Sequence, residues 1–437
     1  MFFWSREIKP LFFIAFRYLL GRGSGNRYLL GAAAGIALSL IPIMVTLIVA
    51  DGMIRGITDR FLELGTGHLQ VWPRAPVQDV STALDAAASL LSSPPVSSRA
   101  DWAGIKGVWR EIDGIGVILS TAGKTGASIR AVDTSFWQDE GSRRYLTVKD
   151  GEGFIDADNE ILLGEDIARE TGAKVGGPLR LMTLRVNDDG SVIPRTTLFT
   201  VKGIVSSGYH ELDAMWCVIS YDAGKRILSG EISQNFLVVK ITEPYDAVEN
   251  AAYDISGRLG GVFSVYTWRE LQRAQYSAYE STRQMLIFIM ALIVLVAAVN
   301  VSAAVSMLVI ERQRDIAVLK SAGTSAAETS LIFLWCGFLT GIAGAVPGIA
   351  FGLLIGCSIN SIIHALESAL SFVSALLNGE AVKILDPGFY LQDIPVIVDW
   401  KTVALIGGLT VICSVVSSVF CAGRAGKSRP LELLRKF

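Results

Sequence analysis

Histidine and cysteine are scarce in this chain, with 3 and 5 copies in 437 residues. So few histidines leave little material for a zinc centre, whose ligands are His and Cys at close spacing, or for a Ser/His/Asp triad. Five cysteines cannot form the framework of a disulfide-stapled fold. Charge is also thin, at 18% of residues against roughly 25% in soluble domains. The balance of 39 basic and 41 acidic residues gives a net charge of −2. With no basic surplus to neutralise phosphates, nucleic-acid binding is disfavoured. What is plentiful is apolar: 51% of residues and a mean hydropathy of +0.46, which excludes a disordered chain.

The apolar residues are concentrated. Residues 28–50, 285–310, 331–363 and 402–422 are uncharged, and each is long enough to cross a bilayer. The third is long enough to span with tilt and a kink at Pro347. Residues 368–379 are uncharged but too short to cross, and read as an interfacial or re-entrant piece. Near the N-terminus, Phe12, Phe13, Phe16, Leu19 and Leu20 alternate with Arg17 and follow Arg6 and Lys9. Without a small-residue cleavage site, this pattern suggests an interfacial helix rather than a cleavable signal peptide.

Charge orients the spans. Arg6, Lys9, Arg17, Arg22 and Arg27 precede the first, and Arg424, Lys427, Arg429, Arg435 and Lys436 follow the fourth. Arg312, Arg314 and Lys320 lie between the second and third. The positive-inside rule places both termini in the cytoplasm. The cytoplasmic stretches then carry an excess of +8, and residues 51–282 carry −8. The apparent neutrality is a cancellation across a bilayer.

The expected division is a cytoplasmic N-terminal helix (1–27), a first span (28–50), an outer α+β domain (51–284) and a second span (285–310). A cytoplasmic loop (311–330), a third span (331–363), an outer loop (364–401), a fourth span (402–422) and a tail (423–437) follow. In the outer domain 199–206, 216–220 and 236–241 read as strands, and 159–173 as a strand leading into a helix. Residues 51–64 continue the first span outward, and 268–284 form an amphipathic helix running unbroken into the second. Residues 92–98 are a loop, and 185–195, with Asn187-Asp188-Asp189-Gly190 at the centre, a protruding hairpin. Cys217 is the one cysteine of the outer domain, so no disulfide forms within it.

Catalytic motifs are incomplete. Ala122-Gly123-Lys124-Thr125 resembles the end of a phosphate loop, but Ile118 stands where the first glycine belongs, so a turn is expected. His210, Glu211 and Asp213 lack a second histidine and read as a surface loop. The spans carry no acid or base for a proton relay. Two features remain. Gly344, Gly348, Gly352 and Gly356 recur every fourth residue, with Gly337 and Gly341 before them. Such a stripe suits close helix approach, either within the chain or between subunits. The loop 311–323 is a short charged helix with one apolar side, ended by Gly323. It is either an interfacial connector or a helix that docks into a soluble partner.

Asp315-Ile316-Ala317-Val318-Leu319-Lys320-Ser321-Ala322-Gly323 directly after a span resembles the FtsX-like/MacB-like ABC permease superfamily. Phe16-Arg17-Tyr18-Leu19, the lead-in Phe389-Tyr390-Leu391-Gln392-Asp393-Ile394-Pro395-Val396 with Val398-Asp399-Trp400, and the tail Arg429-Pro430-Leu431-Glu432-Leu433-Leu434-Arg435 are similar to permeases of the lipoprotein-releasing (Lol) system. Cys421 and Gly423 depart from the proline and bulky residue usual there. The 185–195 hairpin is shorter and less proline-rich than the hook with which one Lol permease type engages its carrier.

The resemblance implies a membrane protein of four transmembrane α-helices, with a large α+β extracytoplasmic domain inserted between the first and second. It would be a non-catalytic subunit in the bacterial inner membrane that binds no cofactor itself, ATP and Mg being held by a LolD-like ATPase. Its other partners would be a second permease (a paralogue or itself), a lipoprotein substrate, membrane lipids and a LolA-like periplasmic carrier. Glu311, Arg314, Asp315, Ile316, Ala317, Lys320 and Gly323 would form the ATPase-docking helix. Met44, Leu47, Ile48, Met285, Ile289 and Met290 are candidates to touch acyl chains, with plain lipid-facing bulk as the alternative. Arg185, Asp188, Ile193, Pro194 and Arg195 are candidates to touch the carrier. Efflux or mechanotransmission is the alternative within the superfamily; a membrane-anchored enzyme or a ligand sensor lies outside it.

Overall fold

The structure is a computed structural model and describes residues 12–18, 24–74, 79–92, 104–120, 123–186, 191–228, 233–376 and 394–427. Asp188, Ala122, most of the 92–98 loop, residues 389–393 of the lead-in and the tail beyond 427 lie outside them. The chain divides into two compact units. One comprises Met1–Gly52, Tyr279–Gly379 and Ile394–Phe437; the other is built on Met53–Ala278.

The second unit is a mixed sheet with helices against it. Its strands are β1 (Leu69–Pro73), β2 (Ile105–Leu119), β3 (Lys124–Val132), β4 (Thr147–Gly151) and β5 (Glu160–Gly164), then β6 (Pro178–Val186), β7 (Val192–Ser206), β8 (Trp216–Ser220), β9 (Gln234–Ile241) and β10 (Phe263–Thr267). They run in the order β10-β1-β9-β2-β3-β8-β5-β7-β4, with β6 pairing β2 and β7. The pairs β3/β8 and β5/β7 are parallel and the others antiparallel. Alternation is clear in β7, where Phe199, Val201, Gly203 and Val205 are buried between less buried neighbours. From Phe236 onward β9 is buried on both faces, fitting an apolar, β-branched central strand. Val80–Ser92 buries Leu84, Ala87 and Leu91, and Val248–Leu259 buries Val248, Ala251 and Ile255. Both stripes follow helical periodicity and share a core with Leu69, Val71, Leu237 and Val239. A second core joins Ile129, Ile161, Phe199 and Cys217 to Ile167 and Tyr221.

In the first unit lie long apolar helices. Among the described residues, four are long and apolar enough to cross a membrane, by length and composition. They belong to Ser24–Arg60, Arg273–Glu311, Ala326–Cys357 and Trp400–Lys427. Two details correct the sequence reading. The third helix runs through Pro347 and stops at Cys357, not at 363. Ser358 leaves helical geometry, its N–H reaching the carbonyls of both Leu354 and Ile355. A new helix, Ile359–Leu376, then takes in the end of the expected third span and much of the 368–379 run. Asn360 fixes its start, donating to the Ile394 carbonyl at 3.0 Å and accepting from the Ile394 N–H at 3.2 Å.

The 268–284 segment is broken as well. Thr267 and Glu270 form a capping box that opens a single turn, Trp268–Leu271, and Gln272 is non-helical before Arg273 starts the long helix. Trp268 anchors the turn: its Nε1 donates to the Pro244 carbonyl at 2.9 Å, and its ring meets Tyr245 and Tyr276 edge-on.

Candidate functional site

The loop helix is built by its two ends. Arg312 breaks the long helix, Gln313–Ser321 forms the loop helix, and Gly323 follows at φ +101°. That backbone conformation favours glycine over any L side chain. Ser325 and Glu328 then form a capping box that opens the third long helix. Ile316 is 1% exposed and Ala317 0%. Ile316 shares a core with Leu308, Ile332, Phe333 and Cys336, against which Ile14, Tyr18 and Leu319 pack. Arg314, Val318, Ser321, Ala322 and Gly323 are exposed, while Glu311, Asp315 and Lys320 are half-buried. Arg312 Nη1 sits 3.0 Å from Asp315 Oδ2, with its guanidinium 5.1 Å over the Tyr18 ring.

Of the expected docking residues, Ile316 packs into its own unit's core and Ala317 is buried beside it; Arg314, Val318, Ser321 and Ala322 form the exposed side of the helix. Val318, four residues after Arg314, lies on the same helical face.

The glycine stripe packs within the chain. A Cβ on Gly344 would stand 2.6 Å from the Ala33 carbonyl oxygen and the Ile36 Cβ, and on Gly348 2.9 Å from the Ala37 Cα. On Gly352 it would meet the Met44 Cβ at 2.6 Å, and on Gly356 the Ile48 Cδ1 at 2.5 Å. The earlier Gly337 and Gly341 face Ser418 and Ser414 of the fourth helix instead. Small residues thus let the third helix approach both neighbours closely.

That packing also places four of the six acyl-contact candidates inside the unit. Met44, Leu47, Ile48 and Met290 are buried, Met44 completely. Met285 and Ile289 are exposed, Met285 at 65%. The second long helix buries one stripe, Met290, Val294, Ala297, Val301, Val305 and Leu308. Its other side exposes Met285, Phe288, Ile289, Leu292, Val296 and Val299 at helical spacing. Phe288 and Leu292, three and seven residues after Met285, belong to that stripe and could have been found by periodicity.

In the sheet unit β6 and β7 pair antiparallel out to Val186 opposite Val192, with residues 187–190 of the expected hairpin outside the described residues. Arg185, Val192, Ile193 and Pro194 are exposed, and Arg195 is tied back, donating from Nη1 to the Arg226 carbonyl at 2.6 Å. The expected surface loop at His210 is instead a helical turn, His210–Asp213. Asp213 is buried, accepting from the Ser206 hydroxyl at 2.6 Å and the Ser207 N–H at 2.7 Å. Among the described residues no group of three His, Cys, Asp or Glu side chains could hold a metal ion. Gly123 accepts a turn hydrogen bond from the Ser120 N–H, and Lys124 opens β3.

Sequence reasoning missed a buried charge cluster at the end of the first long helix. The helix finishes in a π-turn, Phe61–Gly65, where Glu63 meets Lys240 of β9 at 2.5 Å. Lys240 is 2% exposed and also reaches Asp139 at 2.5 Å and the Glu63 carbonyl at 3.1 Å. Burial works against the Glu63 charge, but the hydrogen bond with His68 and the Lys240 ammonium outweigh it and hold the carboxyl at about 2. No local pattern marks such a cluster, because its members are distant in sequence.

Two family models match the chain. Residues 29–256, more than half of it, match the MacB-like periplasmic core domain, and residues 287–430 match the FtsX-like permease C-terminal family. The lipoprotein-releasing system transmembrane protein LolC of Neisseria meningitidis is 29% identical over 285 residues, covering 65% of this chain and 66% of that protein. LolC of Xylella fastidiosa is 25% identical over 406 residues, 92% of each chain. LolE of Haemophilus influenzae is 21% identical over 436 residues, covering 97% of this chain and 98% of that one. The chain therefore belongs to the family with a MacB-like periplasmic core domain and an FtsX-like permease C-terminal region, and within it is a LolC/LolE-like ABC transporter permease.

Proposed function

We propose that this chain is the inner-membrane permease subunit of a transporter that extracts lipoproteins for a periplasmic carrier. ATP hydrolysis on a separate subunit drives the step. Its four long apolar helices cross the membrane, both termini lie in the cytoplasm, and the sheet unit stands in the periplasm. The observation that carries this reading is the two-sidedness of the loop helix. Ile316 binds it into the core beside the second and third helices, while Arg314 and Val318 stand outward. A push on that outer face is thereby delivered to the helices themselves.

The energetics support an external motor. Each acyl CH₂ taken from the bilayer costs about 0.8 kcal/mol, which ATP hydrolysis on the partner subunit would supply. The exposed stripe from Met285 to Val299 offers acyl chains an apolar surface, and the hairpin tip at Val192 and Ile193 offers one to the carrier. A second permease, identical or paralogous, completes the assembly.

Affinity purification of the intact chain tests the docking. An ATPase should co-purify with the wild type and be lost from Val318→Asp; retention by the variant contradicts the reading. The matches to the MacB-like and FtsX-like families favour a second reading, efflux or mechanotransmission without lipoprotein movement. Depletion separates the two. Outer-membrane lipoproteins that still leave the inner membrane would exclude the first.

A further inference from the structure

Arg283 stands two residues before Met285, where the uncharged run of the second long helix begins. Its guanidinium lies between carboxylates from two other elements. Nε is 3.4 Å from Oδ1 of Asp51 on the first helix, and Nη2 is 3.9 Å from Oδ2 of Asp399. Asp399 is itself fixed at the start of the fourth helix, accepting from the Thr402 hydroxyl at 2.6 Å and the Lys401 N–H at 3.1 Å. Asp51 is the most buried of the three side chains, and Arg283 and Asp399 are partly exposed.

The backbone around this triad is tightly held. Gly52 packs so closely on the Pro395 carbonyl that a Cβ there would overlap it. The adjoining Ile394 is paired through both its N–H and C=O with Asn360. The first helix, the helix after Ser358 and the lead-in to the fourth thus meet through the Gly52–Pro395 backbone contact and the Asn360 side-chain amide, neither of which slides easily. The second helix reaches the same place through a long side chain. The Arg283 Nε is buried and makes no hydrogen bond among the described residues, so the attraction is of charge rather than of directed bonds, and is readily broken and remade. Without Arg283, Asp51 and Asp399 would face each other as like charges in a poorly solvated setting, which disfavours their approach.

We propose that Arg283 is a positioning residue, a charge latch that holds the outer end of the second helix to those of the first and fourth. Parting those helices requires the guanidinium to leave Asp51 and Asp399 for water. The inference rests on the reading that these helices cross the membrane and separate during transport. The latch itself is measurable whether or not any lipoprotein moves.

The test is hydrogen–deuterium exchange of the full-length chain in lipid nanodiscs, followed at residues 47–52 and 283–289. Arg283→Gln and Asp51→Asn, which conserve bulk, should each raise exchange by about threefold to tenfold, as a partly shielded ion pair would. The double variant should exchange no faster than either single one. Raising salt should speed exchange in the wild type and leave Arg283→Gln unchanged, which a purely packing role would not produce. Unchanged exchange in Arg283→Gln, additive effects in the double variant, or equal salt responses would each overturn the latch. A wild-type assembly that shows this exchange pattern but releases no lipoprotein would instead overturn the transport reading.

Discussion

Met44 of the first helix packs on Gly352 of the third so closely that a Cβ on that glycine would stand 2.6 Å from the Met44 Cβ. Met44, a candidate acyl contact by resemblance, packs as a knob in a glycine groove. Gly352→Ala should therefore destabilise the helix bundle by about 1–3 kcal/mol, the cost of overpacking. Gly408, where an added Cβ would meet no described neighbour within 4 Å beyond its own helix backbone, provides the control, and Gly408→Ala should stay within about 0.5 kcal/mol. Unfolding of both variants in nanodiscs compares them directly. Equal losses would show that the groove is not tight.

A second prediction concerns Lys240. Lys240→Met leaves Glu63 and Asp139 facing each other without their cation, and should cost the sheet unit about 3–5 kcal/mol. The pH dependence has a definite sign. Because the Glu63 carboxyl is held at about 2 in the folded chain, its contribution is complete above the ordinary carboxylate range near about 4.3. It is lost as pH falls through the folded value. Thermal melts across that window should fall steeply in the wild type and less steeply in Lys240→Met.

The loop helix gives a third. Ile316→Ala opens the core and should cost about 2–4 kcal/mol. Val318→Asp, on the exposed side, should change stability by no more than about 0.5 kcal/mol while abolishing ATPase association. Melting and co-purification measured on the same two variants separate anchor from contact. If Ile316→Ala keeps full stability and loses the partner, the two faces have been assigned the wrong way round.

How much of this was legible in the sequence depends on which force shaped each element. The four apolar runs were plain, because a bilayer demands long uncharged stretches. The 185–195 hairpin was plain, because Asn187-Asp188-Asp189-Gly190 is strong turn chemistry. The direction of Met44 and Ile48 was not, since a side chain facing lipid and one facing another helix are equally apolar. Nor was β2, whose Gly114 and Gly116 interrupt its strand pattern. Both glycines sit where a Cβ would crowd Leu228 or Ile129. The helix break at Ser358 carries no proline signal at all, whereas Pro347 is accommodated mid-helix, as neighbouring helices in a membrane permit.

The hairpin tip provides a fourth prediction. Ile193 is about half exposed and its backbone pairs with Arg185, so Ile193→Asp should leave folding within about 0.5 kcal/mol. It should weaken cross-linking of the chain to a periplasmic carrier and slow lipoprotein transfer. Unaltered cross-linking would place the carrier contact elsewhere on the sheet unit.

Reconstitution tests the central claim most directly. The chain, with its second permease and its ATPase, is placed in liposomes holding a triacylated lipoprotein, and soluble carrier is added outside. Transfer of lipoprotein to the carrier should require ATP and should disappear with Val318→Asp. An assembly that hydrolyses ATP but transfers no lipoprotein would contradict the account.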